Sequence, residues 1–334
     1  MGRMRIKDIA AEAGVSPATV SRVLNNRPGT MSDETRARVK AVIERTGYQP
    51  SNAARSLRRG RTGAIGLILA DMCNPYSSAM LEALAADAGN RGLALMTAVS
   101  GNDAEQEERA CERLIAAGVD GLVVNSCRAG DEAAASLAAA GRLVPIVLLD
   151  RAVPGSGLPL VTSDNDRLMR EMVEEIHRRG CAICHLLDER GRTSAIRRER
   201  ARSFERELAA RGMTGGTVAL ASPAADAARQ LEELVRGAVS PIGLIAVNGL
   251  VLLRLVEALG ETDLSAPGTL RIATFDEYAW NRALFGGITT AVQDTAGLAA
   301  AALDALLDGR GTDGPARTAV APGRVIVRAS TRGN

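Results

Sequence analysis

The sequence predicts a small all-α unit followed by an α/β body of two doubly wound parallel-sheet subdomains, and three observations predict it. Residues 6–47 place apolar side chains at helical spacing between capping signals. From residue 61 onward, short apolar runs alternate with longer helical stretches. The charge is also divided. Through residue 62, thirteen Lys or Arg stand against five Asp or Glu, so a net +2 conceals a head of +8 on a body of −6.

Within the head, Ile6, Ile9, Ala10 and Ala13 form one helical face, and Gly14 supplies the positive-φ residue that closes the helix. Ser16 is placed to cap a second helix with Pro17 at its first position, where no N–H donor is needed. Val20, Val23 and Leu24 form the inward face of that helix. Pro17, Ala18, Ser21 and Arg22 point outward. Ser32, Asp33 and Glu34 open a third helix carried by Val39, Val42 and Ile43 and ended by Gly47. The result reads as a helix-turn-helix, and its basic excess is the footprint of a phosphate-binding surface.

Pro50 then halts the chain, Ser51 or Asn52 can cap, and residues 53–59 have good helix propensity over only about two turns. A helix that short is marginal in water. Leu57 sits among Arg55, Arg58 and Arg59, an apolar tip within phosphate-seeking charge that suits a kinked minor groove.

Residues 6–25, Ser-Asp-Glu-Thr-Arg at 32–36, Gly-Tyr-Gln-Pro at 47–50 and Ala-Arg-Ser-Leu-Arg at 54–58 together resemble the N-terminal signature of the LacI/GalR family of bacterial transcription regulators. The resemblance continues more loosely to about residue 330. It implies a homodimer on a two-fold-symmetric operator, with the second helix in the major groove and a hinge helix driving Leu57 into the minor groove. The implied contacts with double-stranded DNA are Ser16, Pro17, Ala18, Thr19, Ser21, Arg22, Asn25, Ser51, Asn52, Ala54, Leu57 and Arg58. The implied organisation is a DNA-binding domain at 1–50, a hinge at 51–62 and a periplasmic-binding-protein-like sensor at 63–334. One sensor subdomain would take 63–161 and 293–320, the other 162–292 and 321–330.

In the body, the apolar runs at 65–69, 93–96, 121–124, 146–149, 182–187, 242–247 and 270–274 read as strands. Some 270 residues exceed a comfortable single core. Asp71, Asn125, Asp150, Asp164, Asp188, Asn248 and Asp276 follow or close these runs. Parallel sheets bind ligands at the carboxyl ends of their strands, although such residues also cap the next helix.

The family resemblance selects among them. Asn74-Pro75-Tyr76 matches the turn opening the sensor's first helix, and Asp150 matches a cleft Asp that binds a sugar hydroxyl. The segment from Arg200 to Phe204 resembles Arg-x-x-Gly-Phe, with Ser203 for Gly. Asn248 matches the Asn of Ala-Asn-Asp, with Gly249 for Asp, and Asp276 matches the ligand Asp of Gly-Phe-Asp-Asp, with Glu277 for the last Asp. Residues 289–294 resemble the family's Thr-Thr-x-x-Gln crossover. The expected effector contacts are Tyr76, Asp150, Arg197, Arg200, Asn248, Asp276 and Trp280, the last through stacking on a sugar face.

Carboxylates accept polyol hydroxyls and Arg forks pair with carboxylates. If two of Arg197, Arg198 and Arg200 face the cleft, an acidic ligand follows, such as a keto-gluconate. The expected function is a transcription regulator, a repressor, controlled by a sugar-like effector. The alternative is an exported or cytosolic sugar-binding protein of the same cleft fold without gene regulation, which the basic head and the missing signal peptide oppose.

Enzyme readings find little. The chain holds only two histidines, His177 and His185, and none of the common phosphate-loop, nucleophile-elbow or zinc motifs. No cofactor or metal is expected. Cys181-Ala-Ile-Cys-His185 has the c-type haem spacing, but it falls in an apolar run whose alternation would send Cys181 and Cys184 to opposite faces. With Cys73, Cys111 and Cys127 the cysteine count is odd, and reduced cytosolic thiols are expected. No apolar run reaches membrane-spanning length. The expected location is the bacterial cytoplasm, on the nucleoid when operator-bound. Residues 250–259 are apolar over more than one helical face, which suggests a dimer interface, and no C-terminal heptad helix points to a tetramer.

Overall fold

The structure is a computed structural model. It describes residues 4–24, 31–48, 61–189, 194–238, 240–264, 266, 268–308 and 317–332. The chain divides into two compact units, Met1–Thr62 and Gly63–Asn334.

In the first unit, α1 (Ile6–Ala13), α2 (Pro17–Leu24) and α3 (Asp33–Thr46) enclose a core of Ile9, Ala10, Ala13, Val20, Val23, Val39 and Val42. Gly14 ends α1 at φ +63°, where its own N–H reaches the last helical carbonyls. The Ser32 hydroxyl accepts Thr35 N–H at 3.2 Å to start α3, and Arg38 Nε donates to the Ala13 carbonyl at 3.0 Å, tying α3 to the turn.

The second unit holds two six-stranded sheets. β1 (Ala64–Leu69), β2 (Ala94–Val99), β3 (Leu122–Val124), β4 (Ile146–Leu149), β5 (Leu160–Ser163) and β11 (Thr318–Ala321) form the first, ordered β11-β5-β4-β3-β1-β2. The second comprises β6 (Ile183–Glu189), β7 (Thr214–Leu220), β8 (Ile242–Ala246), β9 (Leu270–Phe275), β10 (Thr289–Val292) and β12 (Arg324–Ile326), ordered β12-β10-β9-β8-β6-β7. Every pairing is parallel except β10 with β12. The connecting helices are α4 (Pro75–Asn90), α5 (Ala104–Ala116), α6 (Asp131–Gly141), α7 (Asn165–Arg178), α8 (Ala195–Arg211), α9 (Ala224–Val235), α10 (Gly249–Leu259) and α11 (Thr295–Leu307), with α12 (Ala329–Arg332) near the end.

The chain crosses between the sheets after Ser163, Val292 and Ala321. Two of these crossings are joined, because Ser163 Oγ donates to Gln293 Oε1 at 2.8 Å.

Three local expectations change in the folded chain. The opposite-face alternation expected of Cys181 and Cys184 has no strand to run along. Cys181 precedes β6, so strand alternation does not reach it, and both thiols are buried in the second sheet's core. The apolar excess of α10 goes largely into the subdomain: Val251, Leu252, Leu255, Ala258 and Leu259 join that same core, while Leu250 and Leu253 stay half-buried. Finally, β7 has no apolar run to announce it, since it reads Thr-Gly-Gly-Thr-Val-Ala-Leu. Gly215 there adopts φ +127°, and a Cβ would stand 1.8 Å from the Cys184 carbonyl oxygen, so strand pairing with β6 requires glycine.

Candidate functional site

The helix-turn-helix presents a small polar face. Ser16 caps α2, its Oγ accepting the Thr19 N–H at 3.2 Å and sharing a hydrogen bond with Thr19 Oγ1 at 3.0 Å. Burying Val20 and Val23 turns Ser16, Pro17, Ala18 and Arg22 to the exterior, with Thr19 and Ser21 half-buried between the faces. Asn25, Ser51, Asn52, Ala54, Leu57 and Arg58 lie outside the described residues.

In the second unit, a cavity of about 480 Å³ opens at the carboxyl ends of both sheets, a size suited to a small polar ligand. Asp71, Asn125, Asp150, Asn248 and Asp276 line it, whereas Asp164 caps α7 and Asp188 pairs with Arg197. Asp150 and Asp276 directly follow β4 and β9, each the third strand of its sheet, and both adopt left-handed backbones, φ +60° and +74°. Short polar side chains tolerate that region, and the N–H groups still bond across the sheet, to Val161 O at 2.7 Å and Ala291 O at 3.0 Å. The turn after each strand thus delivers a carboxylate to the cleft.

Asn74 caps α4 and Pro75 takes its first position, which places Tyr76 in the first turn. The Tyr76 hydroxyl donates to Asp150 Oδ2 at 2.5 Å, while Asp150 Oδ1 is buried without a hydrogen-bond partner. Burial pushes the Asp150 carboxyl up to about 6, against the pull of the Tyr76 bond and Arg200. Burial likewise raises Asp276, which accepts from Gln293 Nε2 at 2.5 Å. Gln293 therefore joins the cleft to the crossing at Ser163.

Arg200 is 5 % exposed. Its Nε donates to Asn165 Oδ1 at 2.9 Å, its Nη1 to the Val247 carbonyl at 2.7 Å, and the guanidinium lies 3.7 Å from the centre of the Phe275 ring. Burial lowers its pKa, and the charges of Asp276 and Asp150 oppose that shift. Arg197 also lines the cleft, but its fork is held by Asp188 at 2.5 Å and Glu189 at 2.7 Å. Arg198 is exposed. Asn248 uses its Oδ1 to cap α10 through Val251 N–H at 3.0 Å.

Trp280 does not line the cleft. The segment after Asp276 is extended and then a 3-10 turn, Ala279–Arg282, rather than an α-helix, so Trp280 stacks on Tyr278 at 4.7 Å with its indole N–H buried and unpartnered. Tyr278 also lies outside the cleft lining but bridges to a lining residue of the other subdomain, its hydroxyl donating to Asn74 Oδ1 at 3.4 Å. Sequence reasoning missed Tyr278, whose signal was an aromatic two residues beyond a strand-end Asp. It also missed Arg151, a half-buried lining residue marked only by its place after Asp150.

The departures from the resembled motifs have structural explanations. The buried Ser203 hydroxyl bonds to Asp166. A Cβ on Gly249 would stand 2.1 Å from Tyr278 Cε2, so Tyr278 occupies the room an Asp side chain would need. Glu277 is taken up by the two amino groups of Arg328, at 2.9 and 2.6 Å. The lining set can accept and donate many hydrogen bonds to a hydroxylated molecule.

Residues 5–51 match the family described as bacterial regulatory proteins, lacI family, and residues 169–331 match a periplasmic binding protein-like domain. The chain is 33% identical over 331 residues to the HTH-type transcriptional regulator PtxS of Pseudomonas plecoglossicida, covering 98% of this chain and 96% of that one. It is 37% identical to the sucrose operon repressor of Klebsiella pneumoniae over 218 residues, 64% of this chain and 63% of that one. In fold it is similar to the lac repressor dimer bound to operator and the anti-inducer ONPF, with a TM-score of 0.84, 22% identity and 99% of each chain covered.

Proposed function

Because the chain belongs to the lacI family of bacterial regulatory proteins and is a DNA-binding transcription regulator, we propose that its operator affinity is governed by a small sugar acid bound between the two sheets. The observation that carries this reading is Asp150 Oδ1, a buried acceptor with no protein partner in a cleft lined by hydrogen-bonding groups. A polyol hydroxyl supplies the missing donor. The arginines Arg151, Arg197 and Arg200 line the cleft, and although Arg197 is paired with Asp188 and Glu189, this basic lining supports an acidic ligand such as a keto-gluconate over a neutral sugar. A relative named as a sucrose operon repressor supports the carbohydrate class.

In this reading the protein is a homodimeric repressor of the bacterial cytoplasm, bound to the nucleoid at its operator, and the cleft binds without turnover. Arg22 reads base edges from α2, and residues 51–62 form a hinge that sets Leu57 into the minor groove. Effector binding reorients the two sheets, and the Ser163–Gln293–Asp276 chain of hydrogen bonds conveys cleft occupancy to the crossings.

Two measurements test the proposal. Isothermal titration with sugar acids should find a ligand whose affinity falls in Asp276→Ala and Arg200→Ala; unchanged affinity in both removes the cleft from the function. Operator binding should fall in Arg22→Ala and Leu57→Ala, and full retention in both would reject the assigned DNA contacts.

A further inference from the structure

Among the described residues, three guanidinium groups line the cleft: Arg200 is held by Asn165, the Val247 carbonyl and the Phe275 ring, while Arg151 and Arg197 reach it from opposite sheets. Arg151 directly follows Asp150 after β4, and Arg197 lies in the first turn of α8. Their circumstances differ. Arg197 has both amino groups on the carboxylates of Asp188 and Glu189. Arg151 has no ion pair among the described residues, only long hydrogen bonds from Nη1 to neutral oxygens, Asn102 Oδ1 at 3.3 Å and Ser126 O at 3.4 Å.

Burial disfavours the charge of Arg151, Arg197 opposes it as a like charge, and Asp150 offsets part of both. Nearby Asp150 gives one oxygen to Tyr76 and forms no bond to Arg151. A half-buried cation holding only weak, neutral acceptors is an incomplete interaction, and an anion beside it would be held more strongly than in water.

Resting on the proposed sugar-derived effector, we infer that Arg151 is the anion-binding residue of the cleft and pairs with the acidic group of the ligand, while Asp150, Asp276 and Arg200 bind its hydroxyls. Arg197, though neutralised, adds donors on the facing sheet. An anion between them would tie one sheet to the other.

The acidic group could be a carboxylate or a phosphate, and three ligands separate these. 2-Keto-gluconate, fructose and fructose 1-phosphate share a keto-sugar skeleton and carry a carboxylate, a neutral CH₂OH and a phosphate at the first carbon. Titration of the full chain should give tighter binding of the acid than of fructose by about tenfold or more. Arg151→Gln should weaken the acid by about ten- to a hundredfold and fructose by less than about threefold. Arg151→Lys should restore part of the preference. An unliganded melt close to the parent's confirms that each variant is folded.

Equal affinity of the parent for acid and fructose, or equal losses in Arg151→Gln, overturns the role of Arg151 while leaving a sugar sensor in place. Preference for fructose 1-phosphate, lost in Arg151→Gln, upholds Arg151 and overturns the sugar acid. Binding of none of the three overturns both.

Discussion

Tyr76 holds one oxygen of Asp150 at 2.5 Å and leaves the other buried and unpartnered, so one carboxylate is both fixed in direction and half available. A ligand hydroxyl donating to Oδ1 would meet a preoriented acceptor. Asp150→Ala should therefore lower effector affinity by about a hundredfold, and Tyr76→Phe by about tenfold through loss of orientation. Titration calorimetry checks both, and equal effects of the two changes would contradict the ordering.

The same carboxyl makes unliganded stability depend on pH. Burial raises Asp150 from its ordinary 3.8 to about 6, so folding favours the protonated form. Its stabilising contribution is full below 3.8 and lost as pH rises through about 6. Asp150→Asn keeps the neutral shape at every pH. The variant should melt above the parent at pH 7.5, by an amount corresponding to about 3 kcal/mol at most, and the difference should close by pH 4. A constant gap across that range would refute the assignment.

Gly249 and Tyr278 are mutually required, since a Cβ on the first would stand 2.1 Å from the ring of the second. Gly249→Ala should destabilise the protein by about 1–3 kcal/mol, read as a lower urea midpoint. In a Tyr278→Ala background the same change should cost much less, because the obstructing ring is gone. An additive double mutant would show that the crowding lies elsewhere.

Glu107 is fully buried and accepts from Ser126 Oγ at 2.7 Å, Cys127 N–H at 2.6 Å and Arg128 Nε at 2.9 Å, bracing the chain just after β3. Glu107→Ala leaves the buried Arg128 guanidinium without its closest anion and should cost about 3–5 kcal/mol in denaturant unfolding. A loss below about 1 kcal/mol would mean that solvent replaces the pair.

On the DNA side, Arg22 is the exposed cation of α2, flanked on the outward face by Pro17 and Ala18. Arg22→Ala should weaken the cognate operator by about 1–3 kcal/mol and relax base preference at one position. A uniform loss on all sequences would assign Arg22 to phosphate instead.

Much of this was legible because it is local. Gly14, Ser16, Pro17, Ser32 and Gly47 punctuate the head within a few residues of the groups they satisfy. Likewise, Asp150 and Asp276 could be marked because the carboxyl end of a parallel strand is a position sequence reveals. The reading failed where a short-range rule was carried past its element. Strand alternation was applied to Cys181, which lies before the strand, and stacking on a ligand was expected of Trp280, which lies in a 3-10 turn and stacks on Tyr278 instead.

By itself, then, the sequence determined the capped helices, the alternation of strand and helix, and the two aspartates at strand ends, since each depends on neighbours along the chain. Only the tertiary structure decided which charges are spent and which remain. Asn74 meets Tyr278 across 204 residues, Ser163 meets Gln293 across 130, and Arg197 is satisfied by Asp188 and Glu189 while Arg151 is not. Composition supplies basic and acidic residues in near balance, 41 Lys or Arg against 39 Asp or Glu, but Coulomb attraction and hydrogen bonding act over a few ångströms. Folding alone sets which pairs come that close.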